Sequence, residues 1–438
     1  MASPLYSVVL GLAIVSAIVA PTSSTSRGTL LHHGQKRPQP GLRVDLEQVD
    51  SGKNLTKYEL IKRAIKRGER RMRSINAMLQ SSSGIETPVY AGDGEYLMNV
   101  AIGTPDSSFS AIMDTGSDLI WTQCEPCTQC FSQPTPIFNP QDSSSFSTLP
   151  CESQYCQDLP SETCNNNECQ YTYGYGDGST TQGYMATETF TFETSSVPNI
   201  AFGCGEDNQG FGQGNGAGLI GMGWGPLSLP SQLGVGQFSY CMTSYGSSSP
   251  STLALGSAAS GVPEGSPSTT LIHSSLNPTY YYITLQGITV GGDNLGIPSS
   301  TFQLQDDGTG GMIIDSGTTL TYLPQDAYNA VAQAFTDQIN LPTVDESSSG
   351  LSTCFQQPSD GSTVQVPEIS MQFDGGVLNL GEQNILISPA EGVICLAMGS
   401  SSQLGISIFG NIQQQETQVL YDLQNLAVSF VPTQCGAS

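Results

Sequence analysis

The chain has 438 residues, a formal net charge of −25 and no lysine or arginine after Arg73. Five of its 38 acidic residues precede residue 81 and 33 follow, so the long C-terminal part is an acidic body whose one imidazole is His273. A basic nucleic-acid-binding surface is excluded for that part. The usual route of acid denaturation is also largely closed, because protonating these carboxylates breaks no pair with Lys or Arg and leaves little positive charge to repel itself.

In chain order, residues 5–20 (LYSVVLGLAIVSAIVA) are apolar but short for a membrane span, and small and hydroxylated residues follow. They read as a cleaved secretory signal over residues 1–24, after which no segment is expected to hold the chain to a membrane. Composition then turns basic over residues 25–80. The stretch NLTKYELIKRAIKRGERRMRSINAML predicts one or two helices with Leu60, Ile61, Ala64, Ile65, Met72, Ile75 and Leu79 as the apolar positions. A basic segment joined to a base-free acidic body reads as a propeptide clamped on by charge, an intramolecular inhibitor. Asn54-Leu55-Thr56 is the one N-glycosylation pattern, since Pro278 closes Asn277-Pro278-Thr279 to the modification.

The 49 glycines and 26 prolines of the whole chain, with the short β-rich runs of its body, predict a mostly-β fold, large enough for two lobes at residues 81–258 and 259–438. EYLMNVAIG and SAIMDTG read as a strand pair continued by DLIW, and residues 124–169 as a cysteine-rich insertion of loops. GQGNGAGLIGMG is too rich in glycine for a helix, and the Ser/Gly/Pro-rich stretch 246–268 reads as a connection between lobes. The clearest helix of the body is predicted over 324–339, with Tyr328, Val331, Ala332, Phe335 and Ile339 on one face. The 12 cysteines all lie at or after Cys124. The run Cys124, Cys127, Cys130 would suggest zinc in a reducing compartment, but behind a secretory signal it reads as disulfides and no metal.

Two motifs recur in the same order. Asp114-Thr115-Gly116 returns as Asp315-Ser316-Gly317, and GLIGMG around Gly221 returns as SIFGNI around Gly410. Each Asp ends an apolar run, where an ionised acid is costly unless it is paired or heavily hydrogen-bonded. The duplication implies two related lobes, each supplying one buried acid.

These ordered pairs resemble the pepsin-like aspartic proteases over nearly all of residues 85–438. The resemblance implies a bilobal fold with a cleft between the lobes and a catalytic pair, Asp114 and Asp315, sharing one proton. One carboxyl activates a water while the other protonates the scissile carbonyl, with no covalent intermediate, metal or cofactor. Thr115 and Ser316 are implied to tie the two loops together. Gly116 and Gly317 let backbone amides approach the acids, and Ser117 and Thr318 supply their hydroxyl partners. YTYGYGDGSTTQG resembles the substrate-covering flap, with Tyr173 in the place of the flap tyrosine, Tyr175 as the alternative, and Trp121 as its bonding partner.

The cysteine-rich insertion is similar to that of the nepenthesin type, the plant digestive aspartic proteases. That likeness implies the pairs Cys124–Cys127, Cys130–Cys204, Cys151–Cys169, Cys156–Cys164, Cys241–Cys435 and Cys354–Cys395. It also implies a monomer secreted into an acidic digestive fluid, acting on protein and peptide substrates and sensitive to pepstatin-type inhibitors. The rival reading is a catalytically inactive member of the fold that serves as an inhibitor or binding protein. Such members commonly lose an Asp, a motif Gly or the flap Tyr, and all are present here. Serine, cysteine and metallo mechanisms lack their motifs: there is no G-x-S-x-G elbow, no H-E-x-x-H, and one His after residue 33.

Overall fold

LRVDLEQ alternates strictly, and in the computed structural model Leu42, Val44 and Leu46 are buried while Arg43, Asp45 and Glu47 face out of a strand, Leu42–Gln48. The described residues are 41–80, 96–175, 179–211, 216–259, 261–346, 349–360, 362–401 and 406–436; the expected signal segment 1–24 lies outside them. This strand was not expected: residues 25–80 read as a basic propeptide whose predicted helix begins only at Asn54. It lies antiparallel between Tyr96–Ile102 and Ser251–Leu255. From there an antiparallel sheet runs through Gln237–Cys241 and Thr417–Asp422 to Ala427–Pro432. One sheet thereby joins the N-terminal segment to both halves of the body. The stretch 246–268 is correspondingly more than a connection, because Ser251–Leu255 is one of its strands.

The basic segment continues as one helix, Lys57–Gln80. Its start is a capping box: Thr56 Oγ1 accepts the Glu59 N–H at 3.2 Å, and Glu59 returns a carboxylate to the Thr56 N–H at 2.7 Å. Those bonds also hold the Glu59 carboxyl below its ordinary pKa. The predicted apolar face is the buried one. Ile61, Ile65, Met72 and Ile75 pack with Tyr280, Tyr282, Ile313, Leu320, Ile387, Ile408 and Ile412 of the second half. Ala64 is buried as well, whereas Leu60 is half-buried, and the Leu79 side chain is outside the described residues. A Cβ on Gly68 would lie 2.7 Å from the Thr319 amide nitrogen, so glycine is what lets the helix approach that loop.

The internal repeat is built as two copies of one device. Ser107–Asp114 runs parallel to Gly218–Gly221, with Asp114 opposite Gly221, and Gly218–Gly221 is antiparallel to Trp121–Gln123. In the second half Met312–Ile314 runs parallel to Ser407–Phe409, which is bridged antiparallel to Thr321–Leu323. Each acid leaves the end of a buried strand whose backbone is satisfied on both sides, which fixes where its carboxyl stands. The predicted helix is present as Gln325–Ile339, burying Tyr328, Val331, Phe335 and Ile339, with Ala332 only partly covered.

Six disulfides close, and four differ from the implied pairing. The Cys241–Cys435 and Cys354–Cys395 pairs coincide with it. Cys124 joins Cys204, because Trp121–Gln123 lies parallel to Ser195–Gln209 with Thr122 opposite Cys204, and Cys124, two residues further on, has its Cα 5.3 Å from that of Cys204. That removes Cys204 from Cys130, and the short loop closes instead as Cys127–Cys130. Burial sorts the other two: Cys156 pairs with Cys169 inside the apolar cluster of Trp121, Leu159 and Tyr171, and Cys151 pairs with Cys164 nearer the surface.

Candidate active site

The ends of the two duplicated strands meet. Thr115 Oγ1 lies 3.2 Å from Ser316 Oγ and accepts the Ser316 N–H at 3.0 Å, while the Thr115 N–H donates to Ser316 Oγ at 3.4 Å. Both acids are buried and held by matching partners. Asp114 Oδ1 accepts the Gly116 N–H at 3.0 Å and its Oδ2 the Ser117 hydroxyl at 2.5 Å. Asp315 Oδ1 accepts the Gly317 N–H at 3.0 Å and its Oδ2 the Thr318 hydroxyl at 2.6 Å. Every residue read into the two motifs thus stands in one two-fold-like cluster, with the hydroxyls of Ser117 and Thr318 fixing the carboxyl planes.

A guanidinium occupies the centre. Arg71 of the basic helix donates through Nε to Asp315 Oδ2 at 2.6 Å and through Nη2 to Asp315 Oδ1 at 3.0 Å, and the same Nη2 donates to Asp114 Oδ1. Burial alone would push the Arg71 pKa down, but the two carboxylates outweigh it and keep the cation fully charged. Cβ atoms on Gly116 or Gly317 would collide with this guanidinium, so the glycines that admit backbone amides also admit Arg71. The helix is tied again seven residues earlier, where the Thr319 hydroxyl donates to the Ala64 carbonyl. Sequence reading had Arg71 only as one of many basic residues.

The flap hairpin forms from Glu168–Gly174 and Thr180–Phe192, with its tip at residues 176–178 outside the described ones. Trp121 meets a different tyrosine from the one expected. The Tyr173 hydroxyl is held by the backbone amides of Asp118 and Leu119 on the catalytic loop. Phe211 packs against both the indole and the Tyr175 ring, and it is the Tyr175 hydroxyl that Trp121 approaches: burial and its Tyr173 and Asp114 neighbours raise its pKa, and the approach of Trp121 opposes them. No well-formed hydrogen bond closes between Trp121 Nε1 and the Tyr175 hydroxyl, and both are buried without another partner. The hairpin closes at Tyr175, whose N–H donates to the Ser179 carbonyl at 2.8 Å, whereas Tyr173 sits back in the ladder opposite Thr181.

A buried amide network behind Asp315 escaped sequence reading. Asn411 Nδ2 donates to the Ser316 carbonyl at 3.1 Å, and Gln414 Nε2 to the Phe409 carbonyl at 2.7 Å, while Gln414 Oε1 accepts the Tyr240 hydroxyl. The run Asn411-Ile412-Gln413-Gln414-Gln415 directly after an apolar strand was the available signal. Among the described residues no group of three or more His, Cys, Asp or Glu could hold a metal ion, and no helix is long and apolar enough to cross a membrane.

Two lobes, one D-[ST]-G loop from each and a hairpin whose Tyr173 bonds the first of those loops define a class, and the chain belongs to the pepsin-like aspartic proteases, as an aspartic endopeptidase of the nepenthesin type. The family profiles that match it are xylanase inhibitor N-terminal, over residues 96–257, and xylanase inhibitor C-terminal, over residues 280–432. It is 66% identical to aspartic proteinase nepenthesin-1 of Nepenthes gracilis over 439 residues, covering 100% of both chains. It is 45% identical to aspartic proteinase nepenthesin-2 of Nepenthes distillatoria, over 81% of this chain and 98% of that one. Among solved structures, edgp shares the fold at a TM-score of 0.67 and 19% identity, over 90% of this chain and 95% of that one. Basic 7S globulin from soybean does so at 0.63 and 19%, over 91% and 98%.

Proposed function

We propose that the full chain is the latent form of a secreted, acid-working digestive endopeptidase whose Asp114 and Asp315 hydrolyse peptide bonds of proteins with one water. The observation that carries this reading is the meeting of two buried carboxyls, one from each lobe, on a single guanidinium of the N-terminal helix. Arg71 Nη2 bonds to Oδ1 of both acids, the position from which a water would be held by the same two oxygens. With residues 25–80 gone, that water sits between one ionised and one protonated carboxyl. The first takes its proton as it attacks the carbonyl carbon; the second donates to the carbonyl oxygen, and the tetrahedral adduct collapses by passing a proton to the leaving amine. Ser117 and Thr318 keep both carboxyls in the plane the transfer needs.

Acid releases the helix. The pairs of Arg71 require negative carboxyls, while Arg71 stays charged at any working pH, so acidification removes the attraction from one side only. The chain then converts itself near about pH 3–4 by cutting around residues 78–85. Names of the nepenthesin relatives support the proteinase reading. Descriptions of the matching profiles favour the rival, an inhibitor, but nothing in the site is missing that catalysis needs.

The test is Asp114→Asn or Asp315→Asn in the full chain, assayed on denatured protein at acid pH with and without pepstatin. Turnover falls by about 10²–10⁴-fold or more in each variant, since each removes one partner of the proton relay. Near wild-type turnover in either variant overturns the two-aspartate mechanism.

A further inference from the structure

A third carboxyl stands beside the pair with no part in the reaction as described. Asp118 follows Asp114 by four residues and is buried on the same loop. Its Oδ1 accepts the Gly225 N–H at 2.8 Å, and its Oδ2 accepts the Thr279 hydroxyl at 2.6 Å. The Thr279 carbonyl in turn accepts the Trp224 N–H at 2.9 Å. One acid of the first lobe is therefore clamped between a loop of that lobe and the chain entering the second. Room for it is made by glycines: a Cβ on Gly225 would stand 2.2 Å from Oδ2, and one on Gly223 2.4 Å from Oδ1. None of these contacts involves the helix Lys57–Gln80, so they persist when the helix leaves.

Two hydrogen bonds do not by themselves call for an ionisable group, because a neutral amide or hydroxyl would accept them at a smaller desolvation cost. The charge itself therefore needs a reason. The groups that face Asp118 are Asp114 on its own loop, Tyr173 of the flap strand and Tyr281 of the second lobe. Burial raises both phenols far above the acid range, and the Gly223–Gly225 loop offers only amides and an indole. Among these groups Asp114 is the one carboxyl, four residues away on the same buried loop.

We propose that Asp118 is a positioning residue of the catalytic pair: its carboxylate, fixed by Gly225 and Thr279, repels negative charge on Asp114 and so sets the upper pH at which the pair keeps its shared proton. This rests on the two-aspartate reading above. Activity needs one proton on the pair, and a negative charge alongside makes that proton harder to lose, which extends activity upward in pH. Burial raises the pKa of Asp118, the Thr279 and Gly225 bonds pull it back down, and Asp114 adds to the rise.

The experiment measures kcat/KM against pH for the full chain after acid conversion, per pepstatin-titrated site. The alkaline limb of Asp118→Asn moves to lower pH by about half a unit or more. Thr279→Val removes a donor that favours the charged form of Asp118, keeps it neutral to higher pH, and moves the limb the same way by less. The double variant moves no further than Asp118→Asn. A purely structural role would lower the profile and leave the limb in place. An unmoved limb, or one displaced upward, in Asp118→Asn overturns the proposal; should that variant not fold, the limb of Thr279→Val decides by the same criterion. Retained turnover in Asp114→Asn is a separate outcome, and it strikes the two-aspartate reading instead.

Discussion

Arg71 satisfies both acids with one side chain and fills the space above Gly116 and Gly317. Replacing it by Met leaves two carboxylates facing each other without a counter-charge and without the hydrogen bonds that hold the helix over them. Arg71→Met is expected to cleave a short peptide at about pH 5–6, where the wild-type full chain is expected to be silent, and to convert at higher pH; peptide turnover and gel analysis across a pH series check it. At the flap, Tyr175→Ala is expected to lower kcat/KM by more than Tyr173→Ala, because Tyr175 closes the hairpin and meets Trp121 while Tyr173 is bound to the loop backbone. The reverse order in steady-state kinetics would return the flap role to Tyr173. The acids and their hydroxyl partners were legible because each motif is local and occurs twice. The choice of tyrosine was not, since residues two apart share one face of a strand and alternation cannot separate them.

The helix is held by less charge than its composition suggests. Arg67 and Arg63 turn onto Asp50 of their own segment at 2.9 and 3.3 Å, and Lys53 joins them at 2.5 Å, while Lys62 and Lys66 are exposed. Burial works against the Asp50 charge, but Lys53 and Arg67 outweigh it and hold its pKa below the ordinary carboxylate value. With a lowered folded pKa, this knot stabilises the segment above the unfolded carboxylate range and is lost only as pH falls through the lower, folded value. Asp50→Asn removes it at every pH and is expected to shift conversion to higher pH; Lys62→Gln with Lys66→Gln should leave conversion where it is. A wild-type conversion pH for Asp50→Asn, read by N-terminal sequencing of acid-treated samples, would show that this knot has no part in retaining the helix and leave that to Arg71 and apolar packing. The helix was readable from its apolar face, yet the strand before it was not, because its partners lie about 50 and 200 residues away. Cysteine pairing failed for the same reason: the register that brings Cys124 to Cys204 is set between strands far apart in sequence.

At the scale of the whole molecule, the body without Lys or Arg has no such ion pairs to lose in acid. Its melting temperature after conversion is expected to change by less than about 4 °C between pH 3 and pH 5, and to fall at pH 7, where 33 acids repel one another and added salt should restore part of the loss. Calorimetry over that range decides it, and a steep loss below pH 4 would point to carboxylates whose ionised form the fold requires. The sheet through Leu42–Gln48 carries a different consequence. That strand is the physical bridge between Tyr96–Ile102 and Ser251–Leu255, two strands of the body that do not pair with each other through it once it has been cut away. A chain that begins after residue 80 lacks the strand that pairs with both of these distant edges, and closing so long a loop unaided is slow. Diluted out of denaturant, the full chain is therefore expected to regain its fold, while a chain cut after residue 80 is expected to stay unravelled; recovery of activity after acid treatment of each checks it.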